Sequence, residues 1–168
     1  MENRWNHLFA RSLGTALDEC VYGSRLIGSD PALVLHGGGN TSIKAPFNDI
    51  TGNSFDALFV KGSGWDLATI EEQGFAPLDL SRLRDLLALD SLSDREMVRE
   101  LTTSSLDPDA PTPSVESLLH AYIPYPAVLH SHADAVVSIT NVADGEKLVR
   151  DIFGDSVIVI PYVMPGFE

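Results

Sequence analysis

Two histidines separated by one residue, His130 and His132, are the side chains of this sequence best suited to bind a metal ion. They end the run AVLHSH, which predicts a short strand over residues 127–132. Because alternate residues of a strand point to the same side, both imidazoles are expected on one face of it. Two histidines on a half-exposed strand can also simply bond to water, but the spacing favours a pair of metal ligands.

A carboxylate that can join these imidazoles stands upstream, at Glu116. Thr112 or Ser114 can cap a helix that has Pro113 in its first turn and that Pro124 ends. A first-turn glutamate is also favourable simply because it lies near the positive end of the helix dipole. Beside a metal ion, Glu116 would instead be a ligand in the resting state and a general acid or base during the reaction.

A catalytic zinc ion usually has three protein ligands and one open position, so a further permanent ligand is required. His36 and His120 are the remaining plausible imidazoles, and neither has a spacing that identifies it. His120 follows Glu116 by one helical turn, where a packed or capping histidine is the commoner outcome. The sequence therefore predicts a metal site of His130, His132 and Glu116, with the third permanent ligand left open.

Two glycine-rich segments are the candidates for binding an anionic group: residues 37–44, GGGNTSIK, and residues 61–64, KGSG. Neither has the spacing of a dinucleotide-binding loop or a P-loop. Small residues, hydroxyl groups, an asparagine and a lysine suit a phosphate-binding loop, although ordinary tight turns have the same composition. Lys61 could also act as a Schiff-base nucleophile if desolvated, but the neighbouring metal ligands make that role less favoured.

The net charge limits the class of partner. The chain of 168 residues carries 24 acidic and 11 basic residues, which gives a formal net charge of −13. This charge disfavours general binding to nucleic acid or to an anionic membrane surface. An anionic small molecule must therefore be held locally, and Lys44 and Lys61 lie beside the two glycine-rich segments.

The compartment can be judged from three further features. No apolar run approaches the length that crosses a bilayer, and the first residues lack the basic end and apolar run of a secretory signal. The single cysteine, Cys20, cannot form an internal disulfide, which fits a reducing compartment. We expect a cytoplasmic protein.

Hydrophobic spacing and capping residues predict a layered α/β architecture in one domain over residues 1–168. Val157–Ile160 is rich in β-branched residues and predicts a last strand, after which no closing helix follows. The other predicted elements are a long helix over 3–27, a loop and strand over 36–44, turns over 46–54, a strand over 56–60, helices over 80–89 and 94–101, a loop over 102–112, and helices over 135–141 and 144–153.

Four motifs, GGGNTS, KGSG, PSVE followed by HAY, and VLHSH, resemble in order and spacing the class II aldolase and adducin-head family. Four longer segments resemble most the aldolase half of bifunctional rhamnulose-1-phosphate aldolase/alcohol dehydrogenase proteins. They are LHGGGNTSIK, LFVKGSGWDL, DGEKLVRDIFG and VIPYVMPGF. The resemblance implies a three-layer α/β/α fold with a mixed, largely antiparallel central sheet. It also implies a fold that is incomplete at its C-terminal end.

The same resemblance implies an activity, a zinc-dependent retro-aldol cleavage of a ketose 1-phosphate to dihydroxyacetone phosphate and lactaldehyde. Glu116 matches the family's catalytic acid/base, and His130 and His132 match two of its three zinc histidines. Val115 departs from the serine often found before the glutamate, and Lys61 could replace the missing phosphate donor. The positions that match the family's phosphate-binding stretches are Gly39, Asn40, Ser63, Gly64 and Ser114.

The resemblance leaves alternatives open. The family's third zinc histidine lies beyond Glu168, so we expect a weak or incomplete zinc site and doubt turnover by this chain alone. A pentulose-phosphate epimerase or a methylthio-pentulose-phosphate dehydratase would use nearly the same residues, whereas a non-catalytic adducin-like head would not need His130, His132 and Glu116. The family likeness further implies a homotetramer with sites between subunits, and no nicotinamide cofactor is expected.

Overall fold

The computed structural model describes residues 2–163 and 166–167, and its centre is a four-stranded antiparallel sheet. The strands follow the order β3-β2-β1-β4, so the first and the last strand in the chain are neighbours. The strands are β1 Asn40–Asn48, β2 Ser54–Lys61, β3 Phe75–Asp79 and β4 Ala127–His130. The helices are α1 His7–Ser12, α2 Ala16–Gly28, α3 Leu80–Leu86, α4 Asp94–Thr103, α5 Ser117–Tyr122, α6 Asp134–Thr140 and α7 Gly145–Phe153.

The sheet separates two hydrophobic cores, as side-chain alternation along β2 shows. Leu58 and Val60 are fully buried in a core that also contains residues of α3, α4 and α5. Phe59 between them packs on the opposite side, in a core that contains Cys20 of α2. Because alternate residues of a strand point to opposite faces, the helices form one layer on each face of the sheet. The predicted three-layer α/β/α fold is confirmed, and its sheet is antiparallel throughout the described residues.

The opening helix is not continuous, and the prediction of one helix over 3–27 was wrong at its centre. Leu13 is extended, and Thr15 begins α2 as its N-cap. The Thr15 side chain accepts a hydrogen bond from Asp18 N, and the Asp18 side chain accepts one from Thr15 N. This capping box satisfies backbone donors at the start of α2 and so favours a new helix over continuation of the first.

The hairpin of β1 and β2 extends further than predicted, because β1 continues to Asn48 through the stretch expected to be turns. Pro46, which has no backbone N–H, pairs with Asp56 in this part of the ladder. β4 pairs only with residues 40–43 of β1, so Pro46 lies where β1 has no second neighbour and its missing donor is tolerated. Asp49 closes the turn by accepting hydrogen bonds from Thr51 N and Asn53 N.

Two strand assignments differ from the sequence predictions. β3 was not predicted, because Pro77 lies in its middle; the strand is at the edge of the sheet, where proline is tolerated. Val157–Ile160 is not a strand, since no described strand lies beside it and Ile158 is almost fully exposed. The β-branched residues of this segment therefore do not pair with any strand among the described residues.

The later helices agree with their predictions. α3 and α4 begin after the predicted caps Asp79 and Ser93, whose side chains accept hydrogen bonds from backbone N–H groups of the first turn. α6 and α7 lie at the predicted positions, and α7 ends at Gly154, which has a φ of 56°. Throughout the described residues, every helix is too short or too polar to cross a membrane.

Candidate metal centre

The sheet brings the two ends of the candidate site together. β4 pairs with the first residues of β1, and in this register Asn40 lies opposite His130. The Asn40 side chain is buried, whereas His130 is partly exposed at the end of β4. The site therefore lies at the point where β1 begins and β4 ends.

Glu116 reaches this point from the N-cap position of α5 and not from within a helix. The predicted helix start near Pro113 was wrong, because Pro113 forms an isolated antiparallel bridge with Gly62 and the chain is extended there. Glu116 N donates a hydrogen bond to Ser114 Oγ over 3.2 Å, which fixes the turn into α5. Ser114 thus supports the backbone of Glu116.

Asn40 and His130 make the closest side-chain contacts to the Glu116 carboxylate, and Ser114 Oγ donates a longer hydrogen bond, 3.5 Å, to Oε2. Asn40 Nδ2 donates a hydrogen bond to Oε2 over 3.0 Å, and His130 Nδ1 lies 3.2 Å from Oε1. The hydrogen bond from His130 is the main cause that lowers the pKa of Glu116 to about 2; burial opposes this shift and Asn40 adds to it. Glu116 is therefore ionised at neutral pH, as a metal ligand or a general base must be.

His120, which the sequence analysis left out, is the third member of the cluster. One ligand atom from each of Glu116, His120 and His130 lies within 4.8 Å of the others. His120 is fully buried, and burial lowers the pKa of its imidazole to about 4. Its only signal in the sequence was the four-residue spacing from Glu116, and this spacing is equally typical of a packed or capping histidine.

His132 lies beside the cluster and not within it. β4 ends at His130, so the predicted alternation along a strand to residue 132 was wrong, and His132 is exposed. Its ring centroid is nevertheless 4.8 Å from that of His130, with an angle of 56° between the rings. The segment is held by His132 N, which donates to Leu33 O over 2.8 Å. The two imidazoles are therefore neighbours even without a strand to align them.

The two glycine-rich segments meet at the open end of the β1–β2 hairpin. A Cβ atom on Gly37 would lie 3.5 Å from Gly64 Cα, and Lys61 Nζ donates a hydrogen bond to Gly37 O over 3.0 Å. Lys61 is buried, and this burial lowers the pKa of its ammonium group. Ser63 and Gly64 are exposed, and Ser63 N donates to Thr112 O over 2.8 Å.

Gly39 and Asn40 lie deeper than a surface phosphate loop requires. Gly39 is buried with a φ of 68°, and a Cβ atom there would be 2.6 Å from Val34 Cγ1 and 2.9 Å from His130 O. Asn40 Nδ2 donates one of its two N–H groups to Glu116, and its buried Oδ1 has no partner among the described residues. Asn40 is therefore placed to hold the carboxylate.

The donor set fits a divalent transition metal. Two imidazoles and a carboxylate are typical zinc ligands, and three protein ligands leave a position for water or substrate. The second ring nitrogen of His120, Nε2, is buried and has no hydrogen-bond partner in the described part of the chain. A metal ion would satisfy this nitrogen, whose isolation is otherwise unfavourable.

The fold and the cluster thus define a three-layer α/β/α domain with a candidate metal centre. The chain belongs to the class II aldolase and adducin N-terminal domain family, whose pattern matches residues 18–168. This membership confirms the family inferred from the four motifs.

Two relatives extend the comparison. The chain is 42% identical over 163 residues to the uncharacterized oxidoreductase YuxG of Bacillus subtilis (strain 168), covering 97% of this chain and 24% of that protein. It is 45% identical to the N-terminal class II aldolase domain of a conserved protein from Thermoplasma acidophilum, with a TM-score of 0.89 over 99% of this chain and 76% of that one. The chain thus spans about a quarter of the length of the curated relative.

Proposed function

We propose that this domain is a zinc-dependent aldolase that cleaves a ketose 1-phosphate resembling rhamnulose 1-phosphate into dihydroxyacetone phosphate and lactaldehyde. Membership of the class II aldolase family supports a lyase. The observation that carries the proposal is the Glu116 carboxylate held between Asn40 and His130, with His120 in reach. A structural head domain has no need to hold a carboxylate among imidazoles in this manner.

In this proposal Glu116 moves the proton. The Glu116 carboxylate is ionised, so it can accept the proton of the hydroxyl group on the carbon that becomes the aldehyde. Asn40 holds Oε2 and His130 holds Oε1, so both side chains orient the carboxylate that accepts this proton and returns it to the carbon of the dihydroxyacetone phosphate fragment. A divalent metal held by His120, His130 and Glu116, with His132 beside them, would supply electrostatic stabilisation of the negative charge that develops on the substrate oxygens.

The phosphate group of the substrate would bind where the two glycine-rich segments meet. Ser63, Gly64 and Lys61 contribute there an exposed hydroxyl group, an exposed backbone and a cation. Ser114 lies between this point and Glu116, to which it is hydrogen-bonded. Binding energy from the phosphate would then orient the reacting carbons beside Glu116.

The rest of the proposal concerns the setting of the reaction. We propose zinc as the metal, the cytoplasm as the compartment, and a homotetramer as the assembly. The net charge of −13 supports a small anionic substrate held by local groups over a nucleic acid or membrane partner.

The test is cleavage of rhamnulose 1-phosphate by the purified chain loaded with Zn²⁺, with dihydroxyacetone phosphate measured by its enzymatic reduction. Glu116→Gln should lower the rate by about 100-fold or more, the usual effect of removing a general acid or base. The matched control is Glu19→Gln, which changes an exposed first-turn glutamate of α2 and should leave the rate unchanged.

The outcomes separate the alternatives. If Glu116→Gln cleaves the substrate at the parental rate, Glu116 is not the general acid or base of the reaction. Conversion of a pentulose phosphate without release of dihydroxyacetone phosphate would indicate an epimerase or a dehydratase. A parental chain that neither binds Zn²⁺ nor converts any sugar phosphate would favour the non-catalytic head or an inactive fragment of an aldolase.

A further inference from the structure

Strand β1 holds the short helix α5 through a row of side chains on one face. Asn40 and Ser42 are two positions apart, so their side chains point to the same side of the strand. Asn40 bonds to Glu116 at the start of α5, as described above, and Ser42 Oγ lies 2.8 Å from His120 Nδ1 in the helix. Lys44 is the next residue of this row, and its side chain reaches the end of α5.

Lys44 binds the connection between α5 and β4, residues 123–126, with both its side chain and its backbone. The ammonium group donates hydrogen bonds to Ile123 O and, over 2.9 Å, to Tyr125 O. Lys44 N donates to Pro126 O over 2.7 Å. A single residue of β1 therefore bonds three of the carbonyl oxygens that join α5 to β4.

The connection has few other means of staying in place. Pro124 and Pro126 have no backbone N–H group to donate, and both residues are exposed. Tyr125 between them is 67% exposed. The helix α5 has only six residues, and a helix of this length is not stable without tertiary contacts. The position of the connection therefore depends strongly on Lys44.

The Lys44 ammonium group is directed at backbone and not at a carboxylate. Burial is the main cause that lowers its pKa, and the neighbouring Arg84 of α3 adds to this shift. Within residues 2–163 and 166–167, no carboxylate forms an ion pair with Lys44. A cation at the C-terminal end of a helix interacts favourably with the last carbonyl groups. Holding these carbonyl groups is therefore the role that the contacts of Lys44 support.

The same connection determines how two members of the candidate metal centre meet. Glu116 precedes α5 and His130 ends β4, yet Glu116 Oε1 lies 3.2 Å from His130 Nδ1. We propose that Lys44 is a positioning residue that sets the separation of Glu116 and His130, because it fixes the connection between their elements to β1. Lys44 acts from a distance, since four residues of β1, about 13 Å, separate it from Asn40. The inference rests on the metal centre of the proposed function and names a residue outside that centre on which its geometry depends.

The alternative is a lysine that contributes to stability alone. Its removal would then lower the melting temperature, while the molecules that remain folded would keep the geometry of the site. Ser104→Ala is the matched control for lost stability, because Ser104 is 2% exposed and its Oγ donates to the backbone oxygen Glu100 O over 2.7 Å at the end of α4. Lys147→Met, on the exposed side of α7, is the control for a lost lysine charge.

The first test is nuclear magnetic resonance of the parental chain and of Lys44→Met, without metal and at a temperature at which both are folded. In the parental chain we expect a nuclear Overhauser effect between the ring of His130 and the side-chain protons of Glu116, because these groups are in contact. Lys44→Met should weaken or remove this signal. Lys44→Arg, which keeps the charge and the donors, should restore it, and Ser104→Ala should retain it.

The second test is the Zn²⁺ affinity of the same variants, measured by competition with a chromophoric chelator. Lys44→Met should bind Zn²⁺ about 10-fold more weakly, the lower end of the usual effect of removing a residue that supports metal ligands. Lys44→Arg should recover most of the affinity. Lys147→Met and Ser104→Ala should bind Zn²⁺ like the parental chain, although Ser104→Ala should melt at a lower temperature.

An unchanged contact between His130 and Glu116 in folded Lys44→Met overturns the inference, and so does a Zn²⁺ affinity of Lys44→Met equal to that of Ser104→Ala. The proposed aldolase would survive both results. A parental chain that binds no Zn²⁺ overturns the proposed function, whereas the resonance comparison still decides the role of Lys44. If Lys44→Met does not fold, Lys44→Gln, which keeps N–H donors without the charge, takes its place in both tests.

Discussion

Asn40 Nδ2 donates a hydrogen bond to Glu116 Oε2 over 3.0 Å, although 76 positions separate the two residues in the chain. The bond links the buried start of β1 to the N-cap of α5. The orientation of the carboxylate therefore depends on the sheet and not only on the short helix that follows Glu116. This relationship leads to the first of four predictions.

Asn40→Ala should raise the pKa of Glu116, because it removes a hydrogen bond that stabilises the ionised carboxylate. Loss of a hydrogen bond to a charged group should also lower the free energy of unfolding by about 1.5–3 kcal/mol. Titration of ¹³C-labelled glutamate and denaturant unfolding measure the two effects. Asn48→Ala, at the exposed end of the same strand, is the control, and an unchanged Glu116 pKa in Asn40→Ala would contradict the assignment.

Gly39→Ala should destabilise the fold more strongly than Gly52→Ala. Both glycines have a positive φ, 68° and 87°, so an alanine is strained at either position. Only at Gly39 does the added Cβ also meet packed atoms, whereas at Gly52 nothing lies within 4 Å. We expect a loss of roughly 3 kcal/mol or more for Gly39→Ala and about 1–2 kcal/mol for Gly52→Ala. Thermal unfolding compares them, and equal losses would show that packing around Gly39 is unimportant.

Cys20 should be unreactive in the folded protein. Burial raises the pKa of its thiol to about 12, so almost no thiolate forms at pH 8, and the side chain is 6% exposed. A thiol reagent should label it completely in denaturant and only at the rate of opening in native buffer. Rapid labelling in native buffer would mean that the core between α2 and the sheet opens readily.

The hairpin turn should lose stability in acid through Asp49. Hydrogen bonds from Asn53 and Thr51 lower its pKa from 3.8 to about 2. Because the folded-state pKa is the lower one, the stabilising contribution is complete above about pH 4 and is lost as the pH falls through 2. Hydrogen exchange of the turn amides across this range should show the loss in the parental protein. Asp49→Asn should weaken the turn at neutral pH and remove the dependence.

The sequence predicted the elements whose signals are local. The caps Ser93 and Asp79 were recognised, because a capping side chain bonds to backbone groups within one turn of its own position. The cap Thr15 was not recognised. The failures depended on distant neighbours. Pro77 is compatible with a strand only because β3 is at the sheet edge, and Val157–Ile160 could form a strand only beside a partner that the described residues do not supply.

The candidate site was partly predictable for the same reason. Glu116 and His130 were identified from residue type and order, and the structure places them in contact. The importance of His120 was missed, because its burial and its bond to Ser42 exist only after β1 and α5 have packed together. The support of Glu116 by Asn40 was missed because it joins residues that are 76 positions apart in the chain.

The strand order β3-β2-β1-β4 sets the timing of maturation. Ladder bonds between β1 and β4 close the longest loop of the sheet, and loop closure of this kind is slow compared with the formation of the β1–β2 hairpin. During synthesis on the ribosome, Asn40 is added to the chain long before its strand partner His130. The candidate metal centre is thus expected to form only when the sheet is complete, because a nascent chain with its first three strands alone lacks His130.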